Sequence, residues 1–234
     1  IGLGGDISLA AYHKSIIRIG HDYINNFGLN PEACVFPVAH EFRHAWQDSK
    51  GVLGRQLGLS ASDNIVLYNV IEADAVAFMI TVCNELCEAG INGPLNYLLG
   101  SDYGLFASEF LNSVEEKNSS PKSGRAQRNA FMAYLRDRRF SRNYASAACE
   151  NFSDYRTKDN LRFTFRPVSN LSHVNRILSE MPFYDDDGTL MQRPAYDITP
   201  RTPREIDLMT DLPGADIVSK VKHLDRHKPP RPIR

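Results

Sequence analysis

Two stretches of this chain carry strong helical patterning, and they differ in kind. Across residues 37–48, Val38, Ala39, Phe42, Ala45 and Trp46 fall on one apolar stripe at about 100° per residue. The stripe predicts an amphipathic helix that packs through these five side chains. Pro37 suits its first turn and Gly51 marks its end. His40 and His44 fall almost opposite the stripe, with Glu41 at its flank, so the helix presents both histidines on its other side. The second stretch, IVLYNVIEADAVAFMITVC over residues 65–83, is apolar on nearly every face and predicts a buried helix. Its expected span is 64–89. Ser62 or Asp63 in the polar break 60–64 would serve as its N-cap, and Gly90 and Pro94 would close it.

The rest of the chain is less strongly patterned. Residues 15–20 (SIIRIG) read as a short edge strand, separated by a turn region, 25–31, from the first strong helix. Further helices are expected at 95–114 and 125–150, on either side of a polar linker, 115–124. Beyond residue 151 the expectation is a short strand at 163–168 and a short helix at 171–181. From residue 184 onward, prolines and charges accumulate and predict an extended or disordered end. There is no internal repeat. The fold class is therefore α+β and predominantly helical. The expected division is a domain over 1–155 and a partly irregular extension over 156–234 with a Pro/Arg-rich tail.

Composition changes this picture little. Hydrophobic residues make up 42% of the 234 and charged residues 24%, as in an ordinary soluble globular chain. A net charge of -1 gives no bulk field for nucleic acid or an anionic membrane, and only 125–142 is locally basic. No apolar run is expected to reach the roughly 20 residues of a membrane span. Neither nucleic acid nor membrane is therefore an expected partner. Cys34, Cys83, Cys87 and Cys149 form no CxxC pair and read as reduced core cysteines, which favours a cytoplasmic, reducing compartment. Isoleucine stands at position 1, which points to a fragment or a processed product, so a removed targeting segment and a secreted effector stay open.

The chemistry lies in His40-Glu41-Phe42-Arg43-His44, an H-E-x-x-H motif. Histidines at i and i+4 share a helix face and are spaced to hold one ion, with the glutamate beside them as general base. The second helix supplies what the motif lacks. Glu72 and Asp74 sit in the middle of its apolar run, and an uncompensated buried carboxylate costs several kcal/mol. A divalent cation held by His40 and His44 would compensate Glu72 and complete a His₂Glu set with one open position, the arrangement of a catalytic zinc. One Zn²⁺ per chain is the expected cofactor. The alternative is that Glu72 pairs with an arginine such as Arg43 or Arg55. Asp74 lies about 200° from Glu72 around the helix, so it reads as a carboxylate that supports the ligands or braces the helix.

Other third ligands fit worse. Gln47 and Lys50 stand where the metzincin extension needs glycine and histidine. His173, His223 and His227 are distant, while His13 and His21, flanking the edge strand, stay open. Tyr68, one turn before Glu72, is the first candidate to stabilise an oxyanion, with His13 and Tyr103 behind it. Gly2-Leu3-Gly4-Gly5 lacks the glycine fingerprint of a nucleotide loop, and Asp185-Asp186-Asp187-Gly188 lacks the alternating acids of a calcium loop.

AHEFRHAWQD and Glu72-Ala73-Asp74-Ala75-Val76-Ala77-Phe78 resemble the gluzincin side of the zincin metallopeptidases. They are similar to the motif helix and glutamate helix of minimal bacterial families, among them the ImmA/IrrE-type peptidases and a group of uncharacterised metallopeptidase domains. The resemblance covers residues 15–89. It implies a minimal zincin-like core of short strands, an active-site helix and a glutamate helix, to which further C-terminal helices are added. It implies His40, His44 and Glu72 as ligands, Glu41 as base and a peptide or protein as substrate. Val76 departs from thermolysin-like enzymes, which carry an aspartate four residues after the ligand glutamate, so the usual brace for a ligand histidine is missing there. A competing expectation is a regulatory metal-binding module without turnover, whose partner is engaged by the C-terminal region.

Overall fold

The computed structural model describes residues 10–13, 16–19, 30–52, 61–115, 124–140, 142–146, 149, 180–184, 190–194 and 204–205. These are predominantly helical. Two short strands, β1 (Ala10–His13) and β2 (Ile16–Ile19), pair antiparallel with Ala10 opposite Ile19. They precede α1 (Pro31–Ser49) and α2 (Ala61–Glu88). Next come α3 (Gly93–Leu99), α4 (Gly104–Glu115) and α5 (Arg125–Arg136). A second antiparallel hairpin joins β3 (Glu180–Tyr184) to β4 (Leu190–Pro194).

The chain divides into two compact units. One comprises Ile1–Leu53, Ile71–Tyr134 and His173–Ile198, and the other comprises Gly54–Val70, Leu135–Ser172 and Thr199–Arg234. In the first, α1 packs against the β1–β2 hairpin and α3, and α3 packs on α4. Ile71, Ala73, Ala75, Val76, Ala77 and Ile80 of α2 are buried and form much of its core, with Phe106 and Phe110 of α4 and Phe131 of α5. Burial at this level contributes roughly 1.5–3 kcal/mol for each large apolar side chain.

Several expectations change. The first helix starts six residues earlier than Pro37. Asn30 caps it, accepting a hydrogen bond from the Glu32 N–H at 3.0 Å, and Pro31 takes the first helical position. Pro37 lies inside the helix, where its missing N–H forfeits one ladder bond. Ser62 and Asp63 are the second and third residues of α2 rather than its cap. The helix expected at 95–114 is two helices. At the break, the Gly104 Cα lies so close to the Leu99 carbonyl that a Cβ would collide with it. The helix expected at 125–150 is interrupted after Arg136. There the Asp137 carboxylate accepts from the Arg139 backbone N–H at 3.0 Å and begins a new turn.

Glu180 and Met181, expected to end a helix, belong to β3, and the expected extended end contains β4. Backbone pairing across the hairpin, with Glu180 opposite Pro194 and Tyr184 opposite Leu190, outweighs the weak helical pattern there. The strand expected at 163–168 lies outside the described residues. So do His21, Arg55, His173, His223, His227, the Gly2–Gly5 and Asp185–Gly188 motifs and the chain end. Ile65–Glu88 is also long and apolar enough to cross a membrane by length and composition, contrary to expectation, but most of that window is buried by the protein itself.

The largest correction concerns the faces of α1. Phe42, expected to pack, is 59% exposed, and Val38, Ala45 and Trp46 are only half-buried. The buried side carries His40, Glu41, Arg43, His44 and Gln47. Helical periodicity defines two faces but not which one turns inward. Here the polar face is inward because its groups find partners there.

Candidate metal centre

His40 and His44 project from adjacent turns of α1 towards Glu72 on α2. Their Nε2 atoms are 3.0 Å apart. His40 Nε2 lies 3.3 Å from Glu72 Oε2, and His44 Nε2 lies 3.4 Å from Glu72 Oε1. All three side chains are buried. The cluster could hold a metal ion. Donors at about 2.0–2.1 Å around a tetrahedral ion stand about 3.3 Å from one another, so these spacings suit a small divalent cation. Glu72 Oε2 is buried with no hydrogen-bond partner among the described residues, as a carboxylate oxygen built to face a cation would be.

The charges within the cluster are strongly coupled. Burial opposes ionisation of Glu72, but the His44 and His40 imidazoles overcome it and hold the carboxyl well below the ordinary range. Burial likewise opposes protonation of His44. The facing Glu72 carboxylate, with Glu41 and Gln47, outweighs it and raises the imidazole to about 9. Without metal, the site is therefore a buried imidazolium–carboxylate pair.

Asp74 is separated from this cluster. Its carboxylate receives Arg43 Nε at 2.8 Å on Oδ2 and the other guanidinium arm at 3.1 Å on Oδ1. Arg43 therefore pairs with Asp74, not with Glu72. The guanidinium stacks 4.0 Å from the Trp46 ring centroid.

Sequence reasoning missed the role of Gln47, which entered it only as a mismatch to another motif. Its Oε1 lies 2.7 Å from His44 Nδ1, and its Nε2 donates to the Ile71 carbonyl at 3.0 Å and to Asp74 Oδ2 at 2.7 Å. The available signal was its position three residues after His44 on the same helix face. Tyr103, ranked behind Tyr68, has its ring centroid 6.5 Å from that of His40. Burial, together with the Glu72 and Glu41 carboxylates, pushes its phenol above the ordinary range. Glu41 is buried near enough for its charge to act on both His44 and Tyr103. Tyr68 is half-buried, one turn before Glu72 on α2, and His13 ends β1.

A family model described as Putative metallopeptidase family (DUF6782) matches residues 26–173, well over half of the chain and the whole of this centre. No curated protein and no solved structure matches the chain.

Proposed function

Because the chain belongs to the Putative metallopeptidase family, we propose that it is a zinc-dependent peptidase with a gluzincin-like centre. His40, His44 and Glu72 are its ligands and Glu41 is its general base. The observation that carries this reading is the buried His₂Glu triangle, with Glu72 Oε2 facing imidazole and no hydrogen-bond donor among the described residues. Residues 1–155 are read as the peptidase domain, built on a minimal zincin-like core, and 156–234 as its extension.

When bound, zinc would supply Lewis acidity, polarising a scissile carbonyl and acidifying water towards neutrality. Glu41 takes the proton from the attacking water on a carboxylate oxygen and returns it to the leaving amine. Tyr103, kept protonated by its buried, anionic surroundings, donates its hydroxyl hydrogen to the carbonyl oxygen that gains charge. Loss of such a donor costs about 10²–10³-fold in kcat, so Tyr103→Phe and Tyr68→Phe identify which phenol serves.

The test is metal content by mass spectrometry with peptide-library cleavage, on wild type, Glu72→Ala and Glu41→Gln. About one zinc per chain is expected in wild type and Glu41→Gln and none in Glu72→Ala, with cleavage by wild type alone. Zinc uptake without cleavage would instead mark a metal-binding module. No metal even after reconstitution would sink both readings.

A further inference from the structure

The Gln47 amide is fixed at both ends. Both hydrogens of its Nε2 are committed, one to the Ile71 carbonyl and one to Asp74 Oδ2. The oxygen must therefore be the atom that faces His44. An oxygen accepts only, so His44 Nδ1 must carry the hydrogen across the 2.7 Å contact. The neutral imidazole then has its lone pair on Nε2, the atom turned towards His40 and Glu72.

The support behind Gln47 is also fixed. Asp74 is fully buried and gripped by two guanidinium nitrogens, and that guanidinium is held against the rings of Trp46 and Phe78. A continuous line of hydrogen bonds thus runs from Arg43 through Asp74 and Gln47 to the His44 ring. His40 has no counterpart, because its Nδ1 is buried without a hydrogen-bond partner among the described residues.

We propose that Gln47 is the positioning residue of the metal centre: it selects the His44 tautomer and orientation that present Nε2 to the ion, which makes His44 the anchored ligand and His40 the adjustable one. This rests on the metal-site reading above. It extends that reading by assigning a role to a residue outside the ligand set and by distinguishing two histidines that the motif treats alike.

The experiment uses the whole chain. The zinc dissociation constant is measured by competition with a chromophoric chelator for wild type and Gln47→Met, a substitution that keeps length and volume but removes both hydrogen-bonding ends. Imidazole ¹⁵N spectra are recorded on the same samples. Residues that orient a ligand histidine typically account for about 10–100-fold in metal affinity, and a loss of that size is expected in Gln47→Met. Zinc-loaded wild type should show a hydrogen-bonded Nδ1–H and a metal-shifted Nε2 on His44, and the variant should show a mixture of tautomers. A merely structural glutamine would lower the melting temperature of the metal-free variant and leave the His44 signature unchanged.

Unchanged affinity with an unchanged His44 spectrum would overturn the assignment. If Gln47→Met does not fold, the wild-type spectrum decides, since zinc on His44 Nδ1 is incompatible with the proposal. Wild type that takes up no zinc would overturn the underlying metal reading, a result distinct from a loss confined to the variant.

Discussion

Two carboxylates two residues apart on the same buried helix are treated in opposite ways. Asp74, 0% exposed, accepts hydrogen bonds on both oxygens from Arg43 and Gln47. Glu72, 8% exposed, faces two imidazole edges and keeps one oxygen without a hydrogen-bond donor among the described residues. The Asp74 side of the α1–α2 contact is complete as the chain folds. The Glu72 side is satisfied through a proton on His44, which a cation can replace. The difference separates a bracing carboxylate from a ligand, although both stand in the same apolar helix.

Substitutions can break this contrast, and the largest expected effect is on the Asp74 side. Asp74→Ala removes the carboxylate that takes two guanidinium nitrogens of the buried Arg43 and should cost about 3–5 kcal/mol, read by chemical denaturation of the metal-free chain. Glu72→Ala should cost less in the same assay, because His44 can release its proton where Arg43 cannot, while abolishing zinc uptake. Equal losses from the two variants would erase the distinction between the carboxylates.

The protonation of the Glu72 side sharpens the contrast further. Metal-free His44, raised to about 9, carries a proton at pH 7 that must leave before Nε2 can bind a cation. Zinc uptake at pH 7 should therefore release about one proton from His44, and none from the already ionised Glu72. Apparent affinity should rise about tenfold per pH unit up to about pH 9 and then flatten. Calorimetry in buffers of different ionisation enthalpy measures the release, and a value of zero would contradict the imidazolium assignment.

The smallest effect belongs to the outward face of α1. Phe42→Ser should change stability by no more than about 0.5 kcal/mol, because its ring is mostly in solvent. A loss of the size expected for a core phenylalanine would restore the packing that the apolar stripe suggested.

Cys83 draws the same line between packed and reactive groups. Burial pushes its thiol up to about 12, so alkylation near pH 8 should spare it while modifying the half-buried Cys34 and Cys87. Peptide mapping after brief alkylation reads the order.

Local spacing made part of this protein legible. Histidines at i and i+4 share a helix face whatever the surroundings, so His40 and His44 could be paired from the chain alone. An apolar run of helical length with acids in its middle demands partners for those acids, so Glu72 and Asp74 stood out for the same reason. Gly100 and Gly104 lie within the helix expected at 95–114, and the close approach of Gly104 to Leu99 shows why the break falls where it does.

Long-range packing chose the rest. Which acid took Arg43, which face of α1 turned inward and which tyrosine came beside His40 all depend on groups more than twenty residues apart. Spacing along one helix cannot rank such contacts. The apolar stripe of α1 misled because hydrophobic transfer competes with the satisfaction of a whole polar cluster. Once His40, His44, Arg43 and Gln47 found Glu72, Asp74 and the Ile71 carbonyl, burying them cost little and turned Phe42 outward.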